Sequence, residues 1–137
     1  MSAIPKSIIV SSKRKTAIGK ATIREGKGII TINKRPIESF STIQQLQIKE
    51  PLLIAEKIVG KPNYDIQIRV VGGGISSQVE AARLAIARAI VAFTKSDELK
   101  RAYIVYDRNM FVADTRRREA YKPGDSKARA NRQTSYR

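Results

Sequence analysis

Apolar residues recur at every second position from Tyr64 to Val71, where Tyr64, Ile66, Ile68 and Val70 alternate with Asp65, Gln67 and Arg69. That period predicts a strand with one buried face. A second alternation runs from Thr16 to Arg24: Ala17, Gly19, Ala21 and Ile23 share one side, Ile18, Lys20, Thr22 and Arg24 the other. One face of this strand is therefore small and apolar and the other partly basic. Ser7-Ile8-Ile9-Val10 precedes it, and Ile29-Ile30-Thr31-Ile32-Asn33 follows the turn residues Glu25-Gly26-Lys27-Gly28. The three runs together predict a meander.

From Ser39 the period lengthens to three or four. Phe40, Ile43 and Leu46 predict one short helix, and Pro51 followed by Leu52, Leu53, Ala55, Ile58 and Val59 predicts a second with proline in its first turn. Val79, Ala82, Ile86, Ala89, Ile90 and Phe93 place one buried face on a helix from about Ser77 to Phe93. Ser77 and Glu80 stand in the spacing of a capping box. A further amphipathic stretch starts at Ser96-Asp97-Glu98 and carries Leu99, Tyr103 and Tyr106. Apolar periodicity stops at Asp114, so the expected division is a globular domain over residues 1–114 and a basic C-terminal tail over 115–137. Residues Arg116 to Arg137 include no Leu, Ile, Val or Phe. They cannot offset an ordering entropy of roughly 1–2 kcal/mol per residue, and alone the tail is expected to be disordered.

Charge sharpens this division. The chain of 137 residues carries a net charge of +15, unevenly placed. Met1 to Arg35 holds 9 basic and 1 acidic residue, Arg116 to Arg137 holds 8 and 2, and the stretch between them holds 10 and 9. Two cationic ends on a nearly neutral body repel themselves until a polyanion neutralises them. A nucleic acid is the leading partner and an anionic membrane surface the second. No apolar run reaches the roughly 20 residues that span a bilayer, and Met1-Ser2-Ala3-Ile4-Pro5-Lys6 lacks the order of a signal peptide, so a cytoplasmic location is expected.

Cysteine and histidine are both absent, which removes thiolate nucleophiles, imidazole bases and most transition-metal sites. No catalytic residue, metal or cofactor is expected. Asp97-Glu98 at a helix start and Asp107 near Asp114 read as caps and ion-pair partners. Gly72-Gly73-Gly74, between a strand and a helix start, is a candidate phosphate loop. It lacks the Lys-Ser/Thr of a P-loop, and a tight turn needing positive φ is the simpler reading. Lys13-Arg14-Lys15-Thr16 and Lys34-Arg35 flank the expected meander and can present phosphate contacts on one surface. In the tail, Arg116-Arg117-Arg118, Lys122, Lys127, Arg129, Arg132 and Arg137 recur at fairly even intervals, and an extended chain could carry them along successive phosphates. Tyr121 and Tyr136 either stack on bases or stand free in solvent.

Three blocks together resemble the universal family of the ninth protein of the small ribosomal subunit. The first is Lys13-Arg14-Lys15-Thr16-Ala17-Ile18 with Gly26-Lys27-Gly28 and Ile32-Asn33-Lys34-Arg35-Pro36. The second is Val70-Val71-Gly72-Gly73-Gly74-Ile75-Ser76-Ser77-Gln78 running into Ala82-Arg83-Leu84-Ala85-Ile86-Ala87-Arg88-Ala89. The third is Asp114-Thr115-Arg116-Arg117-Arg118-Glu119, Lys122-Pro123-Gly124, Lys127-Ala128-Arg129 and the ending Ser135-Tyr136-Arg137, which is similar to the archaeal and eukaryotic branch. Ser77 departs from the family's usual glycine.

The resemblance implies an α/β (α+β) two-layer sandwich. It has a four-stranded sheet, helices on one side, a left-handed crossover and an extended basic C-terminal tail. It also implies small-subunit rRNA of the head, neighbouring head proteins and the anticodon stem-loop of P-site tRNA as partners, on the ribosome and away from membranes. By position, Lys13, Arg14, Lys15, Lys34, Arg35, Arg116, Arg117, Arg118, Lys127, Arg129 and Arg132 would neutralise rRNA phosphates, and Ser135, Tyr136 and Arg137 would contact the tRNA. The alternatives are a free basic nucleic-acid chaperone, which a salt wash would strip from subunits, and a phosphate-handling enzyme, which would show saturable nucleotide turnover.

Overall fold

In the computed structural model, residues 7–124 and 127–136 are described. Five strands form one sheet: β1 (Ile8–Arg14), β2 (Ala17–Glu25), β3 (Ile30–Ile32), β4 (Arg35–Pro36) and β5 (Tyr64–Val71), in the order β1-β2-β5-β3-β4. The helices are α1 (Thr42–Val59), α2 (Ile75–Thr94), α3 (Asp97–Tyr106) and the single turn α4 (Arg108–Phe111), with one 3-10 turn at Ile37–Ser39.

The β1–β2 hairpin and the alternation on β2 and β5 are as expected, but the meander is not. β5 inserts between β2 and β3, antiparallel to the first and parallel to the second. The reason lies at Asp65. One carboxylate oxygen of Asp65 accepts from the backbone amides of Lys27, Gly28 and Ile29 at 2.9–3.0 Å. The glycine-bearing segment expected to be a tight turn is thus a wider loop, wrapped on the start of β5. Of the inward apolar residues of β5, Ile66 and Ile68 gain strand neighbours on both sides. A further correction concerns strand number: the two-residue β4 makes the sheet five-stranded rather than four-stranded.

The helical expectations also need amendment. α1 is one helix running through Pro51. Proline removes one intrahelical bond, yet the inward positions Ile48, Pro51 and Ala55 keep a helical period across it, and all three are buried. The Tyr103 hydroxyl donates to the Pro51 carbonyl at 2.7 Å, tying α3 to this point. α2 starts at Ile75 with Gly74 as its cap, so the Ser77/Glu80 capping box does not form; Glu80 is engaged by Arg14 instead. Nor does α2 bury only one face. It lies between the sheet and the other helices, and Ala81, Ala82, Ala85, Ala87 and Ala89 are all fully enclosed. Small side chains permit the close approach on the sheet side too, where a Cβ on Gly19 would lie 2.6 Å from the Ser12 hydroxyl oxygen. That hydroxyl donates to the Ala81 carbonyl at 2.7 Å, joining β1 to α2.

One sheet face is therefore covered by α2. On the other face the alternate residues of β1, β2 and β5, among them Ile9, Ser11, Lys13, Ile18, Lys20, Gln67, Arg69 and Val71, are exposed.

Candidate nucleic-acid interface

The antiparallel and parallel registers bring three connections to one end of the sheet. β1 and β2 join at Lys15-Thr16. β5, whose Val71 pairs with Ile18, ends here in Gly72-Gly73-Gly74, and β3, whose Ile32 pairs with Ile68, ends in Asn33-Lys34. Asn33 and Lys34 both have positive φ, the conformation of a two-residue primed hairpin. The Asn33 side chain accepts from the Val70 amide (2.8 Å) and donates to the Val70 carbonyl (3.2 Å), which fixes this hairpin beside β5. Lys15 also has a positive φ of 55°. Both hairpin tips thus hold a lysine in a conformation that glycine or asparagine adopts more readily.

The glycine loop is explained largely by packing. A Cβ at Gly72 would sit 2.7 Å from the Thr16 carbonyl oxygen, and one at Gly73 would sit 3.0 Å from the Ala17 Cβ; both residues have positive φ. Gly74 differs, with open space around its Cβ position. The amides of Ile75, Ser76 and Ser77 begin α2 without a side-chain cap.

The candidate cations divide by environment. Lys13, Lys15, Lys34 and Arg35 are exposed at this end, with the Arg35 guanidinium 5.4 Å from the centre of the Phe40 ring. Arg14 points the other way and is half-buried, paired with Glu80 and with Asp114 at 3.0 Å. Arg116 forks onto the same Asp114 carboxylate at 2.7–3.1 Å. The Arg116 side chain, then its backbone amide, hold the Asp114 carboxyl well below the usual carboxylate range. Arg88 bridges the Ser11 and Phe111 carbonyls, at 3.0 Å each. Arg14 and Arg88 thereby fasten residues 111–114 to β1, and the tail leaves from the hairpin end of the sheet.

Beyond Thr115 the described residues form no helix or strand, and all but Ala128 are exposed. Arg117 and Lys127 are exposed, Arg118 lies 4.7 Å from the Tyr121 ring centre, Arg129 pairs with Glu119 at 2.9 Å, and Arg132 donates to the Gly124 carbonyl at 2.7 Å. Ser135 and Tyr136 are exposed; Arg137 lies outside the described residues.

Residues 12–137 match the family of ribosomal protein S9/S16. The chain belongs to that family. The small ribosomal subunit protein uS9 of Methanococcus vannielii is 43% identical over 135 residues, covering 96% of this chain and 99% of the relative. The S9/S16 match begins within β1 and runs to the C-terminus, so the hairpin end, the glycine loop and the tail all lie inside the matched residues. An archaeal relative agrees with the ending at Tyr136-Arg137. Among the described residues no helix is long and apolar enough to cross a membrane.

Three cations of this chain were not singled out from sequence. Lys20, Arg24 and Arg69 lie on the uncovered sheet face, and Lys20 stands directly opposite Arg69. Alternation had put each on an outward side, but only the register between β2 and β5 unites them.

Proposed function

We propose that this chain is a structural constituent of the small ribosomal subunit that docks on rRNA of the subunit head through the hairpin end of its sheet. Two lysines held at positive φ on neighbouring hairpin tips carry this reading. Such conformations cost about 1–3 kcal/mol each for residues with a side chain, and folding alone favours glycine or asparagine there. Lys95 shares that conformation where α2 ends, so the backbone alone does not select phosphate; two such lysines brought to one end of the sheet beside Lys13 and Arg35 do.

In this reading Lys13, Lys15, Lys34 and Arg35 contact phosphates at the docking site, and the open space at Gly74 with the first amides of α2 admits one phosphate oxygen. Arg117, Arg118, Lys127, Arg129 and Arg132 take rRNA phosphates along the tail over residues 115–137, exchanging their weak internal partners for RNA. Ser135, Tyr136 and Arg137 reach the anticodon stem-loop of P-site tRNA. Arg14 and Arg116 hold the Asp114 anchor that aims the tail, a role distinct from direct phosphate contact. Neighbouring head proteins complete the partners. The β3-to-β5 crossover takes the left hand that the family resemblance implies; α1 packs on α2 and α3 more than on the sheet, which weakens the usual reason for a right-handed connection.

The test is a quadruple variant, K13A/K15A/K34A/R35A, titrated with a head-domain rRNA transcript over a range of salt. Each lost phosphate contact lowers the slope of log K against log salt by about 0.7–0.9, so a fall of about 3 is expected with the folded signal intact. An unchanged slope would overturn the docking assignment.

A further inference from the structure

The uncovered face of the sheet carries four cations, Lys13, Lys20, Arg24 and Arg69, against the carboxylate of Asp65. Reading across the register, Lys13, Ile18 and Val71 form one row, Ser11, Lys20 and Arg69 the next, then Ile9, Thr22, Gln67 and Thr31, and finally Arg24 with Asp65. Lys20 and Arg69 are directly paired across antiparallel strands, an arrangement in which like charges destabilise the sheet. Neither has an acidic partner among the described residues; Arg24 donates to Gln67 at 3.3 Å and attracts the Asp65 carboxylate opposite it. Among the described residues the one carboxylate on this face, that of Asp65, has an oxygen committed to three backbone amides.

The chemistry of the face selects among polyanions. Among the described residues it bears no aromatic side chain, so it offers no platform for the stacking on which single-stranded RNA recognition relies. Between the cations it presents the hydroxyls of Ser11, Thr22 and Thr31 and the amide of Gln67, together with the exposed aliphatic side chains of Ile9, Ile18 and Val71. Lys20 and Arg24 are four residues apart on one strand, a separation of about 13 Å. Cations, hydroxyls and short aliphatic groups on a shallow surface suit the wide minor groove of an A-form duplex, with its 2′-hydroxyls and bordering phosphates. We infer that the open sheet face is a second RNA-docking surface, centred on Lys20 and Arg69 and continuous with the hairpin end through Lys13, which grips the backbone of an rRNA duplex.

This rests on the function proposed above and extends it to residues outside the docking site. The experiment uses the full chain, a head-domain rRNA transcript and three variants: K20Q/R69Q, K20Q alone, and K57Q/K95Q, whose lysines are exposed elsewhere on the body. The double variant is expected to lower the salt slope by about 1.4–1.8 and the single variant by about half of that, while K57Q/K95Q leaves it unchanged. Thermal unfolding of K20Q/R69Q should be unchanged or higher, since the variant relieves repulsion, and this separates lost contact from lost fold. If K20Q/R69Q binds with the wild-type slope while K13A/K15A/K34A/R35A does not, the second surface is refuted and the first stands. If neither slope moves, both readings fall. Equal losses in K57Q/K95Q, or normal RNA affinity with poor incorporation of K20Q/R69Q into subunits, would overturn the duplex assignment, the latter in favour of a protein partner.

Discussion

Two aspartates, Asp65 and Asp114, each fix a segment that has no regular structure of its own. Asp65 closes the loop between β2 and β3 by accepting hydrogen bonds from three backbone amides, and the Ile29 amide, with those of Gly28 and Lys27, lowers its carboxyl affinity for protons. Asp114 is lowered by Arg116. For both, the native state binds protons less readily than the unfolded chain, whose aspartates titrate near about 3.9. Their contribution is therefore complete above that pH and is lost as acid carries the solution down through the depressed native values. Urea unfolding between pH 2.5 and 6 should show wild-type stability falling below about pH 4, with a shallower fall in D65N; superimposable profiles would remove Asp65 from the account. Tyr103 gives a neutral counterpart. Its buried hydroxyl has one partner, the Pro51 carbonyl, and burial raises its pKa. Tyr103→Phe should lower stability by about 0.5–1.5 kcal/mol, read as a smaller denaturant midpoint at constant slope.

At the scale of elements, local pattern was legible and pairing was not. The alternation of Tyr64, Ile66, Ile68 and Val70 identified β5 because burial on one face leaves a period of two. The same pattern carries no information on which strands flank it. Glu25-Gly26-Lys27-Gly28 looked like a turn because glycines usually mark one, and the hydrogen bonds of the Lys27, Gly28 and Ile29 amides to a residue nearly forty positions away could not be read locally. Pro51 looked like a helix start, whereas Ile48 and Ala55 keep the period through it. The glycine loop was correctly read as a positive-φ connection at Gly72 and Gly73, and the close backbone neighbours now explain why both must be glycine. Gly72→Ala should cost about 1–3 kcal/mol from backbone strain, plus the displacement of Thr16. Chemical denaturation that finds this variant as stable as wild type would contradict the packing described. Of the candidate site, the hairpin lysines were legible as clusters, Arg14 was misleading because its inward direction depends on tertiary structure, and Lys20 with Arg69 needed the register.

Taken whole, the molecule couples a body that is nearly neutral along its middle to two cationic ends that the fold gathers together. Lys13, Lys15, Lys34 and Arg35 come to one end of the sheet through two hairpins, and Arg14 and Arg88 anchor the start of the tail there. Deleting Ser135 to Arg137 should leave the thermal transition and the rRNA salt slope almost unaltered while weakening P-site tRNA binding in reconstituted subunits; unimpaired tRNA binding would end the role given to the tip. The central claim, a self-sufficient body with a tail that takes its shape from RNA, is tested most directly by amide hydrogen exchange on the full chain with and without a head-domain rRNA transcript. The account predicts slow exchange in β5 and α2 in both samples, and fast exchange over residues 115–136 that becomes slow only with RNA. A tail already protected in free protein, or one that RNA leaves unprotected, would contradict it.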